Sequence, residues 1–530
     1  MKNVYMGNNI TGPLRRITAI DLGTNSFHAI IVDIYLDGSF YTVDTLKEMV
    51  LLKDKESGKY LSEKAMERGM EALRRIKKLS DSRGAELILA YATSAIREAV
   101  NGGEFIQQVI DETGIKINAI PGRIEAELIG IAVQHGVKMS EEPALIMDIG
   151  GGSVEFIIAN HQKIFYLRSK KIGVARITAD HLHHDPVTEE EIEALETYFQ
   201  DQLTEVAQAF AMNRCVKLIG SSGTMQNIAS MIAYTKGNHP ELSLNEYTLK
   251  AEDFYTFYDD VIGMNARQRA KLKGLDEKRI SLLPAGLVLV RFVLKTFGIE
   301  ELKISDQALR EGIILRYIKR DLAGIKKLTP IDNPRRRSVM ELVHKYRWHK
   351  KHSTHVADMA LQLFDYYRKD LGLSETDREL LEFAAFMHDI GYLISHRKHH
   401  KHALYLIRNA DLRGFTEEEI DIMAHTARYH RRSAPNARHE HYNRLEKQVQ
   451  QRIRKLSGIL RIADGLDRSH YQNVRKIEIS KERDHVLIEV ESEDDPQLEI
   501  WGASRKKNLL EEVTGCAITI QAMRERPFRL

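Results

Sequence analysis

One short pattern of residues occurs twice in the chain, and this repeat constrains the fold more than any other feature. IDLGTNSFHAIIVD, which ends at Asp33, aligns without a gap with MDIGGGSVEFIIAN, which ends at Asn160. Each copy has an apolar run, one aspartate, a turn of small residues and a second apolar run. The alignment places Asp21 on Asp148 and predicts two strand–turn–strand units in a duplicated α/β architecture.

The two turns have the composition of phosphate-binding loops. Glycine lets a backbone approach a ligand closely, and consecutive N–H groups form anion-binding concavities. Two ordinary β-hairpin turns would contain similar residues, but an aspartate at the same place twice favours a phosphate site. The residues predicted to bind phosphate in these turns are Gly23, Thr24, Asn25, Ser26, Gly150, Gly151, Gly152 and Ser153.

The composition excludes several classes of protein. The 530 residues are 43% hydrophobic and 29% charged, which is typical of globular proteins and enough for about three or four domains. The sequence has no run of about 18 apolar residues, and MKNVYMGNNITGPLRR at its start contains no signal-peptide core. Only Cys215 and Cys516 are cysteines, which argues against a disulfide framework. We expect a cytoplasmic protein that binds no membrane, and a net charge of +3 does not indicate a nucleic-acid partner.

Strand and helix patterns alternate through the first part of the chain. Ser62–Leu79 has the periodicity of an amphipathic helix, and Thr188 with Glu191 forms a capping-box pattern that opens a long helix. A small-residue turn, GSSGT at Gly220–Thr224, follows the last strand of this part. The predicted strands are Ile17–Ile20, Ala29–Tyr35, Glu86–Tyr91, Ala144–Met147, Val154–Ile158 and Val216–Ile219.

The character of the sequence changes around Asp321–Arg337, where glycine, proline and charged residues indicate a linker. Beyond it the chain is helical and rich in histidine, since 14 of 22 histidines lie between Ile331 and Ser480. From about Tyr471 onward, VRKIEIS, HVLIEVE and CAITIQ predict strands, and Ala503–Val513 predicts a helix between them. The predicted domains are 1–140 and 141–325 (α/β), 326–478 (helical) and 479–530 (small α/β).

Six motifs together carry a family resemblance. IDLGTNSFH, TSAIR, GRIEAELIG, MDIGGGSVE, GSSGT and SDQALREG occur in that order. The segment from Ile17 to Arg316 resembles the exopolyphosphatase/guanosine pentaphosphate phosphatase family, whose fold is that of the sugar kinase–Hsp70–actin superfamily. The resemblance implies an actin-like (ribonuclease H-like) pair of α/β domains that grip a chain of phosphates across a cleft, followed by an HD-type domain.

The resemblance also implies roles for individual residues. Glu125 would be the base that deprotonates the attacking water, and Arg97 would clamp a phosphate. Asp148 would hold Mg²⁺ with help from Glu155, and Asp21 would play a symmetric, weaker part. The GSSGT turn would supply further phosphate contacts through Gly220, Ser221, Ser222, Gly223 and Thr224.

Two departures from the family pattern occur near these motifs. The family often has two adjacent acids where this chain has Ile124 and Glu125, and Glu127 is a less favoured substitute because it points to another helix face. Gln307 stands where the family usually has glycine, in a segment that we interpret as packing near the cleft.

The second half contains HSTHVA, HDIG, HHKHALYLI, RYHRR and RIADGLDRS in order. This series resembles the HD phosphohydrolase superfamily and implies a divalent metal, either Mg²⁺, Mn²⁺ or a transition metal. Many helical domains of this descent have lost activity and serve as binding or packing modules. The implied metal ligands are His352 (rather than His355), His388, Asp389, Asp464, His430 and His400, for which His399 or His402 are alternatives.

Basic clusters lie near these motifs. RRR, HKKH, HRKHHKH and RYHRR are either solvated helix faces or a track for a long polyanion. Interleaved aromatic residues are sparse, which weighs against single-stranded nucleic acid.

The leading functional hypothesis is an exopolyphosphatase that releases orthophosphate from inorganic polyphosphate with Mg²⁺. Removal of the 5′ γ-phosphate of guanosine pentaphosphate (pppGpp) is the close alternative. An HD-site nucleotide phosphohydrolase and an alarmone-sensing protein are further alternatives, and a sugar kinase is disfavoured because no sugar-binding motif is present. The resemblance also suggests a homodimer.

Overall fold

The computed structural model describes residues 13–35, 38–52, 59–237, 244–320 and 333–523. Most of the predicted linker lies outside these residues. The chain divides into two compact units, Met1–Pro334 and Arg335–Leu530. No helix in the described ranges is long and apolar enough to cross a bilayer.

The first unit alternates strands and helices, as the sequence predicted. Ser62 caps the first helix by accepting from the Ala65 N–H, and the predicted capping box of Thr188 and Glu191 opens a helix of 24 residues. In chain order the elements are β1 (Arg15–Leu22), β2 (Ser26–Ile34), β3 (Phe40–Met49), α1 (Glu63–Ser82), β4 (Leu87–Ala92), α2 (Ser94–Glu98), α3 (Gly102–Thr113), β5 (Ile117–Ala119), α4 (Gly122–Gly136), β6 (Ala144–Ile149), β7 (Val154–Ala159), β8 (Ile164–Lys170), α5 (Val174–His181), α6 (Glu189–Met212), β9 (Lys217–Ser221), α7 (Ser222–Thr235), β10 (Thr248–Lys250), α8 (Ala251–Val261), α9 (Ala266–Arg269), α10 (Leu283–Phe297), β11 (Glu301–Ile304) and α11 (Leu309–Arg320).

Two sheets repeat one topology. The first has the order β3-β2-β1-β4-β5, and the second has β8-β7-β6-β9-β11 with β10 added at its edge. In both sheets the strand that carries the repeated aspartate pairs antiparallel with the next strand and parallel with the one after the crossover. The duplication predicted from the two motifs therefore extends to the whole of each sheet.

Two helices connect the halves of the first unit. Helix α4, which follows the first sheet in sequence, packs on β7 and β8 of the second sheet. Helix α11, which follows the second sheet, packs on α4 and on β1 and β2 of the first sheet. One apolar core accordingly contains Ile17 and Ile30 together with Ile146 and Ile313. This arrangement fixes the two sheets against each other, because burying these faces separately would expose apolar surface.

The second unit is mainly helical. Helix α13 (Lys350–Leu371) carries the HSTHVA motif, and RIADGLDRS begins in α18 (Lys447–Gly465) and continues beyond its end. The elements are α12 (Pro334–Lys345), α13 (Lys350–Leu371), α14 (Glu375–Met387), α15 (His399–Arg408), α16 (Glu417–Arg428), α17 (Glu440–Asn443), α18 (Lys447–Gly465), β12 (Val474–Glu482), β13 (His485–Ser492), α19 (Gln497–Ser504), α20 (Asn508–Thr514) and β14 (Ala517–Ala522).

The C-terminal strands and helices are part of this unit and do not form a separate core. The predicted boundary between residues 478 and 479 falls inside β12, and the three strands form one sheet of order β12-β13-β14. Helices α19 and α20 pack on α18, and the close approach of Gly465 to Ala503 leaves no room for a Cβ at that glycine. The single helix predicted over Ala503–Val513 is wrong, because the chain leaves the helical conformation between Ser504 and Asn508.

Candidate active site

The two repeated turns have the same internal hydrogen bond. The N–H of Gly23 donates to the carbonyl of Ser26 at 3.1 Å, and the N–H of Gly150 donates to the carbonyl of Ser153 at 3.0 Å. A Cβ on either glycine would lie 3.0 Å from that same carbonyl oxygen, which explains the glycine at both positions. The equivalence read from the sequence is thus an equivalence of backbone geometry.

The two turns face each other across a cavity of about 190 Å³. Their contact is close: a Cβ on Gly152 would overlap the Ser94 hydroxyl, and one on Gly151 would lie 2.9 Å from the Asn25 amide. The Thr24 and Ser94 hydroxyls are 3.2 Å apart. All eight turn residues that were predicted to bind phosphate line the cavity.

The GSSGT turn contributes only part of the predicted set. Ser222, Gly223 and Thr224 line the cavity at the start of α7, whose N-terminus is a favourable place for an anion. Gly220 and Ser221 are not among the described lining residues. The Ser221 hydroxyl donates to the Gln307 carbonyl at 2.9 Å, and a Cβ on Gly220 would overlap Met225. These two residues are the last of β9, and their contacts with Gln307 and Met225 hold the turn in place.

Gln307 packs as the sequence analysis predicted. Its side chain fills the space over Gly136, and its amide donates to Asp306 at 2.7 Å.

Four carboxyl groups predicted from the sequence converge on the cavity from different elements, and Asp306 also lines it. Asp21 lies near the end of β1, Asp148 lies on β6 directly opposite Glu155 on β7, and Glu125 lies in the first turn of α4. Glu155 accepts a hydrogen bond of 2.7 Å from Ser169 on β8. The sequence placed these acids at motif positions, and the fold brings them to one cavity.

Burial raises the pKa of each of the four carboxyl groups. For Asp21 burial and the nearby Glu125 raise the pKa to about 7. Burial raises the pKa of Asp148 to about 6, although Ser221 and Arg279 act in the opposite direction. Glu155 has a pKa well above its ordinary value because of burial and the charges of Glu125 and Asp148. Such a group of mutually repelling acids favours a bound cation.

Arg97 holds Glu125 in place. Its Nη1 donates to Glu125 Oε2 at 2.8 Å and to the Ile120 carbonyl at 2.8 Å. Burial raises the pKa of Glu125 to about 7, while Arg97 opposes that rise. Arg97 is not among the described residues that line the cavity, so its contact in this structure is with the acid rather than with the space for phosphate.

Lys47, Arg279 and Arg310 form a cationic wall that the sequence analysis did not find. All three line the cavity, on β3, just before α10 and on α11 respectively. Arg279 donates to the Thr224 hydroxyl at 3.1 Å and lies against Gly223, where a Cβ would overlap its guanidinium. Burial lowers the pKa of both Lys47 and Arg279. No local motif marks these residues, because they come together only through the fold.

His28 makes the two repeats chemically unequal. It occupies in the first repeat the position that Glu155 has in the second, opposite the aspartate. Its Nδ1 lies 3.1 Å from Arg310, and burial together with Arg310 and Lys47 lowers its pKa to about 3. The alignment of the repeats contained this asymmetry, since His28 and Glu155 stand in the same column.

The acids fit a hard divalent cation by chemistry. In the described part of the chain, groups of three ligand atoms within 4.8 Å of one another occur in the second unit only. Mg²⁺ does not need such a group, because it usually keeps several waters and binds one or two carboxylates plus substrate phosphates. Asp148 and Glu155 offer that arrangement beside the anion-binding turns.

Comparison with known proteins identifies the family. Residues 31–321 match the Ppx/GppA phosphatase family, and residues 335–503 match Ppx/GppA phosphatase, domain III. This chain belongs to the Ppx/GppA phosphatase family. Ppx/GppA phosphatases hydrolyse phosphoanhydride bonds, so the predicted enzyme class and the actin-like α/β core are confirmed.

Its relatives include both kinds of enzyme that the sequence analysis considered. Guanosine-5′-triphosphate,3′-diphosphate pyrophosphatases of Aeromonas hydrophila and Aeromonas salmonicida are each 28% identical over 408 residues, which is 77% of this chain and 79% of theirs. A solved exopolyphosphatase from Cytophaga hutchinsonii is 31% identical with a TM-score of 0.55, covering 59% of this chain and 99% of that one. The Aquifex aeolicus PPX-GPPA enzyme is 26% identical with a TM-score of 0.50, covering 57% and 99%.

The second unit of this Ppx/GppA phosphatase contains a buried cluster of histidines and aspartates. His352 Nε2 lies 3.6 Å from Asp464 Oδ1 and 3.7 Å from Asp389 Oδ2. His388 Nε2 lies 3.5 Å from Asp389 and 3.7 Å from Asp464. His430 Nε2 lies 3.7 Å from Asp389 Oδ1. Five of the six predicted ligands are therefore within a few ångströms of one another.

The opposite ring nitrogens of these histidines are held by fixed partners. Nδ1 of His352 lies 2.8 Å from Asp467, while Nδ1 of His388 and His430 lie 2.7 and 2.6 Å from backbone carbonyls. The Nε2 atoms of His352 and His388 are buried and form no hydrogen bond in the described part of the chain. Orientation of a ring through its other nitrogen is typical of histidines that bind metal.

The structure corrects one member of the predicted set. His399 Nε2, and not His400, lies 3.3 Å from Asp389 and 3.4 Å from His430. Both residues begin α15, where consecutive side chains point about 100° apart, so only one of them faces the cluster. His400 is directed elsewhere, and burial lowers its pKa to about 4. Asp467, which lies just beyond the end of α18 and three residues after Asp464, was also missed.

Proposed function

We propose that this enzyme removes the terminal phosphate of inorganic polyphosphate, with Glu125 as the base. The observation that carries the proposal is the position of Glu125: a buried carboxylate, oriented by Arg97, facing two phosphate-type turns. In the proposed reaction a water oxygen attacks the terminal phosphorus and its proton passes to Glu125. The bond from that phosphorus to the bridging oxygen breaks, and orthophosphate and a shorter chain leave.

The other residues of the cavity would bind and orient the phosphates. Backbone N–H groups of the two turns and of the start of α7 would hold phosphate oxygens. Lys47, Arg279 and Arg310 would neutralise the next phosphates of the chain. Asp148 and Glu155, with Asp21 nearby, would hold Mg²⁺, which supplies charge neutralisation at the phosphate when bound.

The lining of the cavity supports an inorganic polymer over pppGpp. No phenylalanine, tyrosine or tryptophan is present among the described residues that line it, so a guanine base would find no stacking partner there. If the specificity constant did not change from short to long polyphosphate, a preference for the long polymer would be excluded.

The test is orthophosphate release from long-chain polyphosphate and from pppGpp, offered separately with Mg²⁺. We expect faster release from polyphosphate, and a fall of about 10²–10⁴-fold in Glu125→Gln. Glu127→Gln is the matched control, because Glu127 lies on another face of the same helix and faces Arg320. Release from pppGpp alone would overturn the polymer assignment, and full activity of Glu125→Gln would overturn the base.

We further propose that the second unit is an HD-type domain that binds a divalent metal. The unpartnered Nε2 atoms of His352 and His388, aimed at Asp389 and Asp464, support this. The ligands would be His352, His388, Asp389, Asp464, His430 and His399. Metal content measured by mass spectrometry should fall in His388→Ala, while phosphate release in the first unit persists. Equal metal content in the wild type and this variant would exclude the site.

A further inference from the structure

A second cavity, of about 430 Å³, opens over the histidine–aspartate cluster in the second unit. Asp389, His430 and Asp464 of that cluster line the cavity. Its walls carry an unusual concentration of positive charge on three parts of the chain: the segment after α16, helix α18 with the turn that follows it, and the segment after α19. The cationic lining residues are Arg431, Arg432, Arg461, Arg468, Arg505 and Lys506.

Most of this charge has no carboxylate counter-ion among the residues that the structure describes. Lys506 forms an ion pair with Asp464. Within the described ranges none of the five arginines forms an ion pair with a carboxylate. Arg461 instead donates to the backbone carbonyls of Tyr429, Arg432 and Lys506. Five guanidinium groups around one cavity repel one another, and an anionic ligand would remove that cost.

The C-terminal part of the unit adds an aromatic surface to these charges. Trp501 on α19 is 51% exposed, and the Arg505 guanidinium lies 5.0 Å from its ring centroid on one side. Tyr392 also lines the cavity, is 38% exposed and stacks on His399 with ring centroids 3.9 Å apart. An exposed indole beside several guanidinium groups is suited to a planar base that carries phosphates.

We propose that this cavity is a second ligand site, separate from the phosphatase cleft, which binds nucleoside polyphosphates. The linked phosphates contact Arg432, Arg468 and Arg505, and the base stacks on Trp501. The C-terminal helix α19 and the residues after it complete the site, so they set its specificity. This contrasts with the first cavity, where five acids accompany the cations and no phenylalanine, tyrosine or tryptophan lies in the described lining.

Isothermal titration of the full-length protein tests the proposal. The titration uses the Glu125→Gln variant, which limits hydrolysis in the cleft. EDTA removes divalent metal, so the measured affinity arises from contacts with the protein alone. GTP and inorganic tripolyphosphate are the two probes, because both carry linked phosphates and only GTP carries a base. We expect GTP to give two binding events, one in the cleft and one in the second cavity. Arg279→Ser, which affects the first cavity, identifies the cleft event.

The paired substitution Arg468→Ser and Arg505→Ser should weaken the remaining event at least tenfold. Both side chains are exposed, so the fold should tolerate the change, and an unaltered melting temperature verifies this. Arg483→Ser, an exposed arginine in the turn between β12 and β13, is the matched control and should leave both events unchanged. A GTP titration with no event sensitive to Arg468 and Arg505 would overturn the site, whatever the cleft does.

Substitution of Trp501 distinguishes a nucleoside polyphosphate from inorganic tripolyphosphate as the ligand of this cavity. Trp501→Ala should weaken GTP binding at this site by about 5–100-fold, in line with the loss of one base–aromatic stack. Tripolyphosphate binding should not change, and Trp501→Phe should retain most of the GTP affinity. Equal binding of both probes that is insensitive to Trp501 would overturn the nucleoside assignment.

Discussion

Nη1 of Arg97 and Oε2 of Glu125 are 2.8 Å apart, although 28 residues separate them in sequence. The arginine lies on α2 of the first sheet's half, and the glutamate lies on α4, which packs on the second sheet. This ion pair therefore joins the two halves of the first unit at the point where the proposed base faces the cleft. It also makes Arg97 a residue that positions Glu125, in addition to any contact with phosphate.

Substitution of Arg97 should move the pH profile of phosphate release. Arg97 opposes the rise in the Glu125 pKa that burial causes, so its loss should raise that pKa above about 7. Since the base must be ionised, the rising limb of kcat/KM in Arg97→Ala should shift to higher pH, with activity at pH 7 lower by about tenfold or more. Steady-state kinetics between pH 5.5 and pH 9 measure this.

Arg123→Ala is the control for that experiment, because Arg123 is an exposed arginine in the same turn of α4. Its profile should match the wild type. An Arg97→Ala enzyme with lower activity but an unmoved limb would show that Arg97 acts on the substrate alone.

The stability of the metal-free enzyme should decrease as pH rises from about 4 to about 7. Asp21, Glu125 and Asp148 have folded-state pKa values of about 7, 7 and 6, above their ordinary values. The folded state thus binds more protons than the unfolded state in this window, and the free energy of unfolding falls with pH there. Above about pH 7 these carboxyl groups are ionised and the loss of stability is complete, and below about pH 4 they are protonated and the loss is absent.

Thermal melting in EDTA, compared with Asp148→Asn, isolates this effect from other titrating groups. The Asn variant should gain melting temperature relative to the wild type as pH rises. Added Mg²⁺ should stabilise the wild type more at pH 8 than at pH 5, and should stabilise the variant less. If the difference in melting temperature between the wild type and the variant did not change with pH, the expectation would be wrong.

The substitution Gly152→Ala should push the two phosphate turns apart. Its new Cβ would overlap the Ser94 hydroxyl and lie 3.0 Å from Thr24 Oγ1. We expect a loss of about 1–3 kcal/mol in the free energy of unfolding, because overpacking forces the backbone to shift, together with a large loss of activity. Denaturant unfolding and phosphate release measure the two effects.

Two comparisons make that result specific. Ser94→Ala should partly restore stability to Gly152→Ala, since it removes the overlapping hydroxyl. Gly103→Ala in α3 should be neutral or stabilise by up to about 1 kcal/mol, because nothing lies within 4 Å of its Cβ position. Additive effects of the Ser94 and Gly152 substitutions would argue against the clash.

His399→Ala and His400→Ala should differ in metal binding. His399 Nε2 faces Asp389, whereas His400 points away from the cluster. We expect metal affinity to fall about tenfold or more in His399→Ala and to remain unchanged in His400→Ala. Competition with a chelating dye measures the affinity, and the reverse ranking would restore the original assignment of His400.

Much of the phosphatase unit was predictable because its chemistry is local. A turn of glycine and hydroxyl residues after a strand needs its own residues to adopt its shape, so IDLGTNSFH and MDIGGGSVE were sufficient to predict both turns and the duplicated sheets. Asp148 lies beside its turn for the same reason. Glu125 followed from its motif, GRIEAELIG, and it lies in the first turn of α4.

The predictions that the structure changed depended on the direction of a side chain within its element. His399 and His400 are neighbours in sequence, and the start of α15 decides which of them faces Asp389. The supporting position of Gly220 and Ser221 depended on where β9 ends. A shift of one residue along a helix or strand changes which face a side chain occupies, and short polar or histidine-rich segments do not fix that register.

The sequence by itself determined which residues build the two turns, which acids accompany them and that the architecture is duplicated. Only the tertiary structure decided that Arg97 pairs with Glu125, that Lys47, Arg279 and Arg310 form one wall, and that α19 covers the second cavity. Each of these groupings joins residues far apart in the chain. Such contacts arise when helices pack on sheets or on other helices to bury apolar surface, and local sequence patterns do not record them.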